Sequence, residues 1–377
     1  MESDNQPLNA MISRRSFLRI GATGAAALAI PGVAVAGRPR ETAWHDVRDW
    51  GVEGKGWDDT VRYFDRLPGK AEGVVREPVW DLSRHSSGMC VRFATDATAI
   101  RVRYSLLLER LAMSHMPATG VSGLDLYAED ALGRQRWVAV VRPDSQEMDV
   151  AIAQNLRPGF RRYSLYLPLY NGVESLELGV DEEAVFEPIA PRTERPMVFY
   201  GTSILHGACA SRPGMAFPAI LSRRLDRPFL NLGFSGNGRM EAEVGALLAE
   251  LDPCVFAVDC LPNMNADMVA ERAIPLVRQL REAHPDTPIL LVEDRSFTNA
   301  PFFPTRVERH RTNREALKGA HRSLLGSGYE DLYYLDGEDL LGSDAEASTD
   351  GSHPNDLGMM RYADTYEPAL RRVLGQY

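Results

Sequence analysis

The segment Met197-Val198-Phe199-Tyr200-Gly201-Thr202-Ser203-Ile204-Leu205 carries four apolar residues into a Gly-Thr-Ser step. A short apolar run that stops at a glycine reads as a buried strand feeding a tight turn. Four more such runs follow, at 229–232, 254–259, 289–292 and 332–335. Between and after them the apolar period lengthens, and helices are expected near 215–225, 240–251, 267–283, 307–325 and 357–374. Strand and helix alternating five times specify a parallel sheet covered on both faces, a three-layer α/β/α domain over residues 197–377. Ligands of such sheets gather outside the carboxyl ends of the strands, so the residues that end each strand are the ones to read for chemistry.

Ser203 follows the first strand at a turn where its hydroxyl can stand at the top of the sheet. Serine needs a base to become a nucleophile, and alone at such a place it is more often a helix cap. The second strand ends in Asn231-Leu232-Gly233-Phe234-Ser235-Gly236-Asn237-Gly238, whose bare backbone N–H groups suit an anion or an oxyanion, or simply a tight turn. Its G-x-x-G-x-G order is not a dinucleotide fingerprint. The third strand ends in Asp259-Cys260-Leu261-Pro262-Asn263-Met264-Asn265. Asn263 can donate its amide to a developing negative charge, and Asn265 is the expected helix cap. The last loop, Asp350-Gly351-Ser352-His353, places an acid three residues before an imidazole, close enough for the carboxylate to orient the ring. A serine, a glycine turn, an asparagine and Asp-x-x-His at the ends of successive strands make an acyl-transfer site.

In this order and spacing the chain resembles the SGNH (GDSL-like) hydrolases from about 196 to 377, with Ser203, Gly236, Asn263, Asp350 and His353 at the family's positions. Gly123-Leu124-Asp125-Leu126-Tyr127 resembles the GxDLY stretch of the β-rich domain that precedes some of these enzymes. The first block reads Gly-Thr-Ser where the family often has Gly-Asp-Ser, and the third reads Leu-Pro-Asn-Met where it usually has Gly-x-Asn-Asp. The α/β-hydrolase elbow G-x-S-x-G fails at Leu205. The resemblance implies a serine esterase with Ser203, Asp350 and His353 as catalytic residues. It also implies an oxyanion hole of the Ser203 and Gly236 N–H groups with the Asn263 amide, and chemistry that needs no metal or organic cofactor.

Rival readings attach to other residues. His206 lies three residues past Ser203 but has no acid at workable spacing, so His353 is the better base. His310 and His321, eleven apart among Arg and Lys, read as a solvated helix face rather than a metal pair. Ser235 falls within the glycine turn. Phe302 and Phe303, in the insertion at 297–304, can wall a site for sugar or acyl chain. The substrate expected is a short acyl ester, chiefly acetyl, on a small molecule or polysaccharide. A lipase or lysophospholipase, and a carbohydrate-binding protein with a vestigial site, remain the alternatives.

Upstream the period changes to two. Ile100, Val102, Tyr104 and Leu106 alternate with polar residues, as do Tyr163, Leu165, Leu167 and Leu169. Short runs at 91–93, 124–127, 137–141 and 176–180 sit between turns, and no long helix intrudes. This is the pattern of a β-sandwich, jelly-roll-like, over 37–186. Three prolines among charged residues at 187–196 form a stiff connector. At the start, Ser13-Arg14-Arg15-Ser16-Phe17-Leu18-Arg19 precedes an Ala/Gly-rich stretch and Ala34-Val35-Ala36, the parts of a twin-arginine export signal over 1–36. A periplasmic or secreted enzyme is expected, with no stable membrane insertion once the signal is removed.

The 377 residues are 44% hydrophobic and 25% charged, ordinary globular usage that argues against a disordered or fibrous chain. Forty-two Lys and Arg against 52 Asp and Glu give a net charge of −10, which disfavours a nucleic-acid partner. Four cysteines are too few for a disulfide scaffold, and Cys254 and Cys260 on one strand stand too far apart to bridge.

Overall fold

The computed structural model describes residues 41–375; the export segment read at 1–36 lies outside them. The first half contains nine strands, β1 (Thr42–Asp46), β2 (Cys90–Thr95), β3 (Ile100–Leu106), β4 (Asp125–Glu129), β5 (Gln135–Val140), β6 (Glu147–Ala153), β7 (Arg161–Tyr166), β8 (Val173–Asp181) and β9 (Phe186–Ile189). Two short helices accompany them, α1 (Glu77–Ser83) and α2 (Ala118–Val121). The strands form two antiparallel sheets, ordered β1-β8-β3-β6 and β5-β4-β7-β2-β9. Alternation sends Val102 and Tyr104 of β3, Leu178 of β8, Phe93 of β2, Leu126 of β4 and Leu165 of β7 into the core between them. β9 runs from the last residue of the expected sandwich into the expected connector, and Pro188 is tolerated there because β9 is an edge strand that pairs only with β2.

The second half follows the expected alternation. Its strands are β10 (Met197–Gly201), β11 (Phe229–Gly233), β12 (Val255–Asp259), β13 (Ile289–Val292) and β14 (Leu332–Leu335). Its helices are α3 (Ser203–His206), α4 (Phe217–Leu225), α5 (Ala242–Leu248), α6 (Ala266–Ala283), α7 (Pro304–Gly326) and α8 (Asp356–Val373). The strands are parallel in the order β11-β10-β12-β13-β14, with Met197 level with Phe229 and Val255. Met197 and Phe199 face α4 and α8, where Phe217, Tyr362 and Tyr366 pack, while Val198 and Tyr200 face Val244, Leu276 and Leu317 of α5, α6 and α7. Because both faces are covered, the strands are apolar throughout rather than alternating. Asn265 and Asn355 cap α6 and α8, accepting from the N–H groups of Met268 at 2.9 Å and Gly358 at 3.0 Å.

The two halves share cores rather than a tether. Cys90, Tyr127 and Tyr166, on the outer face of the five-stranded antiparallel sheet, join the α4/α8 core, and Leu67, Val75, Val79 and Trp80 join the α5/α6/α7 core. Within the GxDLY stretch, Leu126 points into the sandwich, while its neighbours Asp125 and Tyr127 point at the α/β half. Asp125 accepts from the Gly214 N–H at 2.8 Å, from Arg212 Nη1 at 2.9 Å and from Trp137 Nε1 at 2.9 Å. Gly214 is required, since a Cβ there would stand 2.4 Å from the Tyr127 ring. Arg192 of the connector donates to Glu53 at 2.8 Å and to Asp226 at 3.1 Å, so this stretch is pinned to both halves. The four cysteines are free thiols, and among the described residues no helix is long and apolar enough to cross a membrane.

Candidate active site

β10 delivers Ser203 to the first position of α3, one residue after Thr202, whose hydroxyl makes no cap bond. Ser203 is therefore not a helix cap. Its Oγ lies 2.9 Å from His353 Nε2, and His353 Nδ1 lies 2.7 Å from Asp350 Oδ2. The other oxygen of Asp350 accepts the backbone N–H of Ser352 at 2.9 Å and of His353 at 2.8 Å. Burial raises the Asp350 pKa, but the bonds from the His353 ring and backbone and from Ser352 outweigh it and hold the carboxyl at about 2. A carboxylate on Nδ1 fixes the tautomer in which Nε2 is free to accept the serine proton.

The loop that carries His353 is anchored from beneath. Arg295, fully buried, donates to the Ser352 carbonyl at 3.2 Å and to the Ser352 hydroxyl, and it pairs with buried Asp294. Asp294 also pairs with Arg309 at 2.6 Å and faces His310. On the other side Thr298 donates its N–H to the Gly351 carbonyl at 2.9 Å. The insertion at 297–304 thus borders the acid of the triad, with Phe302 81% exposed and Phe303 partly so.

The Gly236 turn closes over the carboxyl ends of β10 and β11. Gly236 has φ +71°, where glycine is favoured, and a Cβ on Gly238 would collide with the Gly201 carbonyl at 1.9 Å. Among the described residues the N–H of Ser203 and the N–H of Gly236 find no acceptor. Asn263 reaches the same turn. Of its two amide orientations, the one that satisfies both ends has Oδ1 accepting from the N–H of Asn237 at 3.0 Å and of Gly238 at 3.3 Å. Its NH2 group is then left as a donor. The five residues singled out by sequence therefore form two adjoining clusters, a Ser-His-Asp chain and a turn with unpartnered N–H donors.

Two expectations need correction or refinement. His310 does not lie on a solvated face: it is buried against Asp294 and accepts the Phe297 N–H at 3.0 Å, because α7 presents it to the loop after β13 rather than to water. His321 is half-buried, 3.2 Å from the Leu332 carbonyl. His206, the rival base, is fully buried and stacked on Tyr170 at 4.2 Å, with its Nε2 beside His85 and Arg66. Burial, then the Arg66 and His85 charges, push its pKa far down, so it stays a neutral structural ring.

Sequence reasoning missed the support supplied by the first half. Buried Arg66 donates to the carbonyls of Asn231 at 2.8 Å and Gly233 at 2.9 Å, capping the outer edge of β11 just before the glycine turn, and to those of Leu82 and His85. Arg76 holds Asn237 at 2.8 Å and Glu241 at 2.5 Å. Tyr170 O–H donates to the Ser203 carbonyl at 3.3 Å. None of these arginines or tyrosines stands in a motif; only the tertiary contact marks them.

Comparison with known proteins follows the same division. Residues 194–371 match the model of the GDSL-like lipase/acylhydrolase family, and residues 42–186 match the model of the N-terminus of SGNH-hydrolase-type esterases. No curated protein matches the chain by sequence. A GDSL-like lipase from Bacteroides ovatus is 32% identical, with a TM-score of 0.85 over 89% of this chain and 98% of that one. A salicylyl-acyltransferase from a tetracycline biosynthetic pathway is 18% identical, TM-score 0.69, covering 90% of this chain and 99% of the other. A family two carbohydrate esterase from Cellvibrio japonicus is 13% identical, TM-score 0.59, covering 89% and 99%. The last two share the fold. With both halves matched by family models and a full-length relative above 30% identity, this chain belongs to the GDSL-like lipase/acylhydrolase family of carboxylic-ester hydrolases.

Proposed function

We propose that this enzyme removes short acyl groups, chiefly acetyl, from hydroxyls of saccharides, through an acyl-enzyme on Ser203. The observation that carries the reading is the 2.9 Å and 2.7 Å hydrogen-bond chain from Ser203 through His353 to Asp350, beside two N–H groups without acceptors among the described residues. His353 Nε2 takes the proton of Ser203 Oγ as the oxygen attacks the acyl carbon. The carbonyl oxygen, now negative, settles on the N–H groups of Ser203 and Gly236 and the amide of Asn263. The ester C–O bond then breaks, and His353 returns the proton to the departing alcohol. Water, deprotonated by the same nitrogen, releases the acid and frees Ser203.

Support for a short acyl chain comes from the nucleophile, which is only 6% exposed. Support for a saccharide comes from the two-part fold, which a family two carbohydrate esterase and an acetyl xylan esterase from Butyrivibrio proteoclasticus also adopt. The Arg14-Arg15 leader supports action outside the cytoplasm after twin-arginine export. The test is hydrolysis of p-nitrophenyl acetate, butyrate and octanoate by the mature enzyme and by Ser203→Ala. Activity lost in the variant and falling with chain length is the expected result. Equal rates in the two proteins would remove Ser203 from the mechanism. No turnover in either, with no labelling by a fluorophosphonate, would return the chain to the carbohydrate-binding reading.

A further inference from the structure

The first half also sends one side chain to the catalytic histidine. His115 sits in the loop between β3 and α2, exposed, with its ring centroid 6.0 Å from that of His353 and the two planes tilted by 38°. It makes no hydrogen bond or ion pair within the described residues. Its position is nevertheless fixed. Met113 and Met116 on either side exchange backbone hydrogen bonds of 3.0 and 3.1 Å, and Met116 is buried in the α4/α8 core. The following helix α2 is docked on the segment after α3, with Thr119 Oγ1 donating to the Ser211 carbonyl at 2.6 Å and Gly120 so close to Ala210 that a Cβ would meet its carbonyl at 2.5 Å. A tight hairpin anchored at both ends thus holds an imidazole with both nitrogens unused beside the general base.

The geometry of acyl transfer says which part of a substrate meets it. The carbonyl oxygen turns to the glycine turn and Asn263, but the leaving oxygen must come within hydrogen-bond reach of His353 Nε2 to be protonated. Groups attached to that oxygen therefore lie next to the His353 ring, where His115 stands. A neutral imidazole offers one donor and one acceptor, which suits a hydroxyl-bearing partner and gives an alkyl chain nothing to bond. We infer that His115 forms an alcohol-side subsite, contributed by the β-rich half, that binds the hydroxyls of a polyol or saccharide leaving group. This rests on the ester-hydrolase reading above and adds to it the side and the residue that recognise the alcohol.

Acceptor competition tests it, because an alcohol that attacks the acyl-enzyme occupies the place the leaving group vacated. Acetyl-enzyme is formed from p-nitrophenyl acetate and partitioned between water and either methyl xyloside or 1-propanol. In transfer, the alcohol oxygen bonds to the acetyl carbon, the Ser203 Oγ–C bond breaks, and the hydroxyl proton passes through His353 Nε2 to Oγ. The wild-type enzyme is expected to acetylate methyl xyloside in preference to 1-propanol. His115→Ala should cut transfer to the xyloside by about three- to tenfold, the worth of one or two neutral hydrogen bonds, and leave hydrolysis and propanol transfer within about twofold. His115→Gln, which keeps a donor and an acceptor, should recover part of the preference. A wild type that transfers to neither alcohol, or to both alike, overturns the subsite, and so does an equal loss for both acceptors in His115→Ala. Failure of the hydrolase reading would be recognised separately, by a wild type that does not cleave p-nitrophenyl acetate at all.

Discussion

The α/β half supplies Ser203, Gly236, Asn263, Asp350 and His353 from four loops at one end of its sheet, whereas the β-rich half supplies none of them. The β-rich half instead holds those loops. Arg66 caps the edge of β11, Arg76 grips Asn237, Tyr170 reaches the Ser203 carbonyl, and Asp125 with Tyr127 clamps the chain just beyond α3. The contrast teaches that the proposed chemistry sits where a parallel sheet concentrates strand ends, while support crosses the seam from the other half, most deeply through buried Arg66, whose acceptors are backbone carbonyls. Such donors leave no trace as paired charges in a sequence, because carbonyls belong to every residue.

The comparison can be broken most severely on the α/β side. Asp350→Asn keeps the shape of the loop but removes the charge that orients the imidazole, and kcat should fall by about 10³–10⁴-fold while the fold persists, as read by steady-state kinetics alongside circular dichroism. A loss below tenfold would assign the orientation of His353 to the backbone instead. On the β side, Arg66→Met should cost about 3–5 kcal/mol in urea unfolding, since four backbone carbonyls, three of them buried, lose their donor, while the fraction that stays folded still labels with a fluorophosphonate. If labelling disappears from folded protein, the two halves are not divided into chemistry and support.

A smaller effect separates the two clusters of the site. Asn263→Ala should slow turnover by about 10²–10³-fold with little change in KM, because the amide bonds an oxyanion that exists only in the transition state. A change confined to KM would place Asn263 on the substrate instead.

The smallest effect concerns Asp259 at the end of β12, buried and bonded by the Tyr366 hydroxyl at 2.6 Å. Burial, opposed by that bond, pushes its pKa up from 3.8 to about 7. Between those values the folded chain keeps a proton that the unfolded chain releases, so stability falls as pH rises through the window. Asp259→Asn, which accepts the same bond and cannot ionise, should match wild type near pH 4 and exceed it by about 1–3 kcal/mol at pH 8 in urea midpoints. Asp350 has the opposite sign. Its lowered value makes a contribution that is present above 3.8 and lost as pH falls toward 2, outside the range compared. A pH-independent difference between Asp259→Asn and wild type would show that the carboxyl is not titrating in this window.

Much of the α/β half was legible because burial on both faces makes its strands continuous apolar runs, and because Asn265 and Asn355 announce α6 and α8 by their capping chemistry. The β-rich half was less legible. β1 and β9 are edge strands, so half-burial blurs their alternation, and Pro188 disguises β9 as connector. His310 was misread because a helix surrounded by Arg and Lys in sequence still turns one side inward, to Asp294. His115 could not be found at all, since its partner lies 238 residues away.

By itself the sequence determined the parallel sheet, the order of its elements and the five residues at its strand ends, because periodicity and turn chemistry are local and act within a few residues of each other. The tertiary structure alone decided that the proline-rich stretch is pinned between shared cores, that His206 is buried against Tyr170, His85 and Arg66, and that a second histidine stands beside His353. Those outcomes depend on which surfaces meet when the two halves pack, and that meeting is settled by shape and buried polar pairing over distances no sequence window spans.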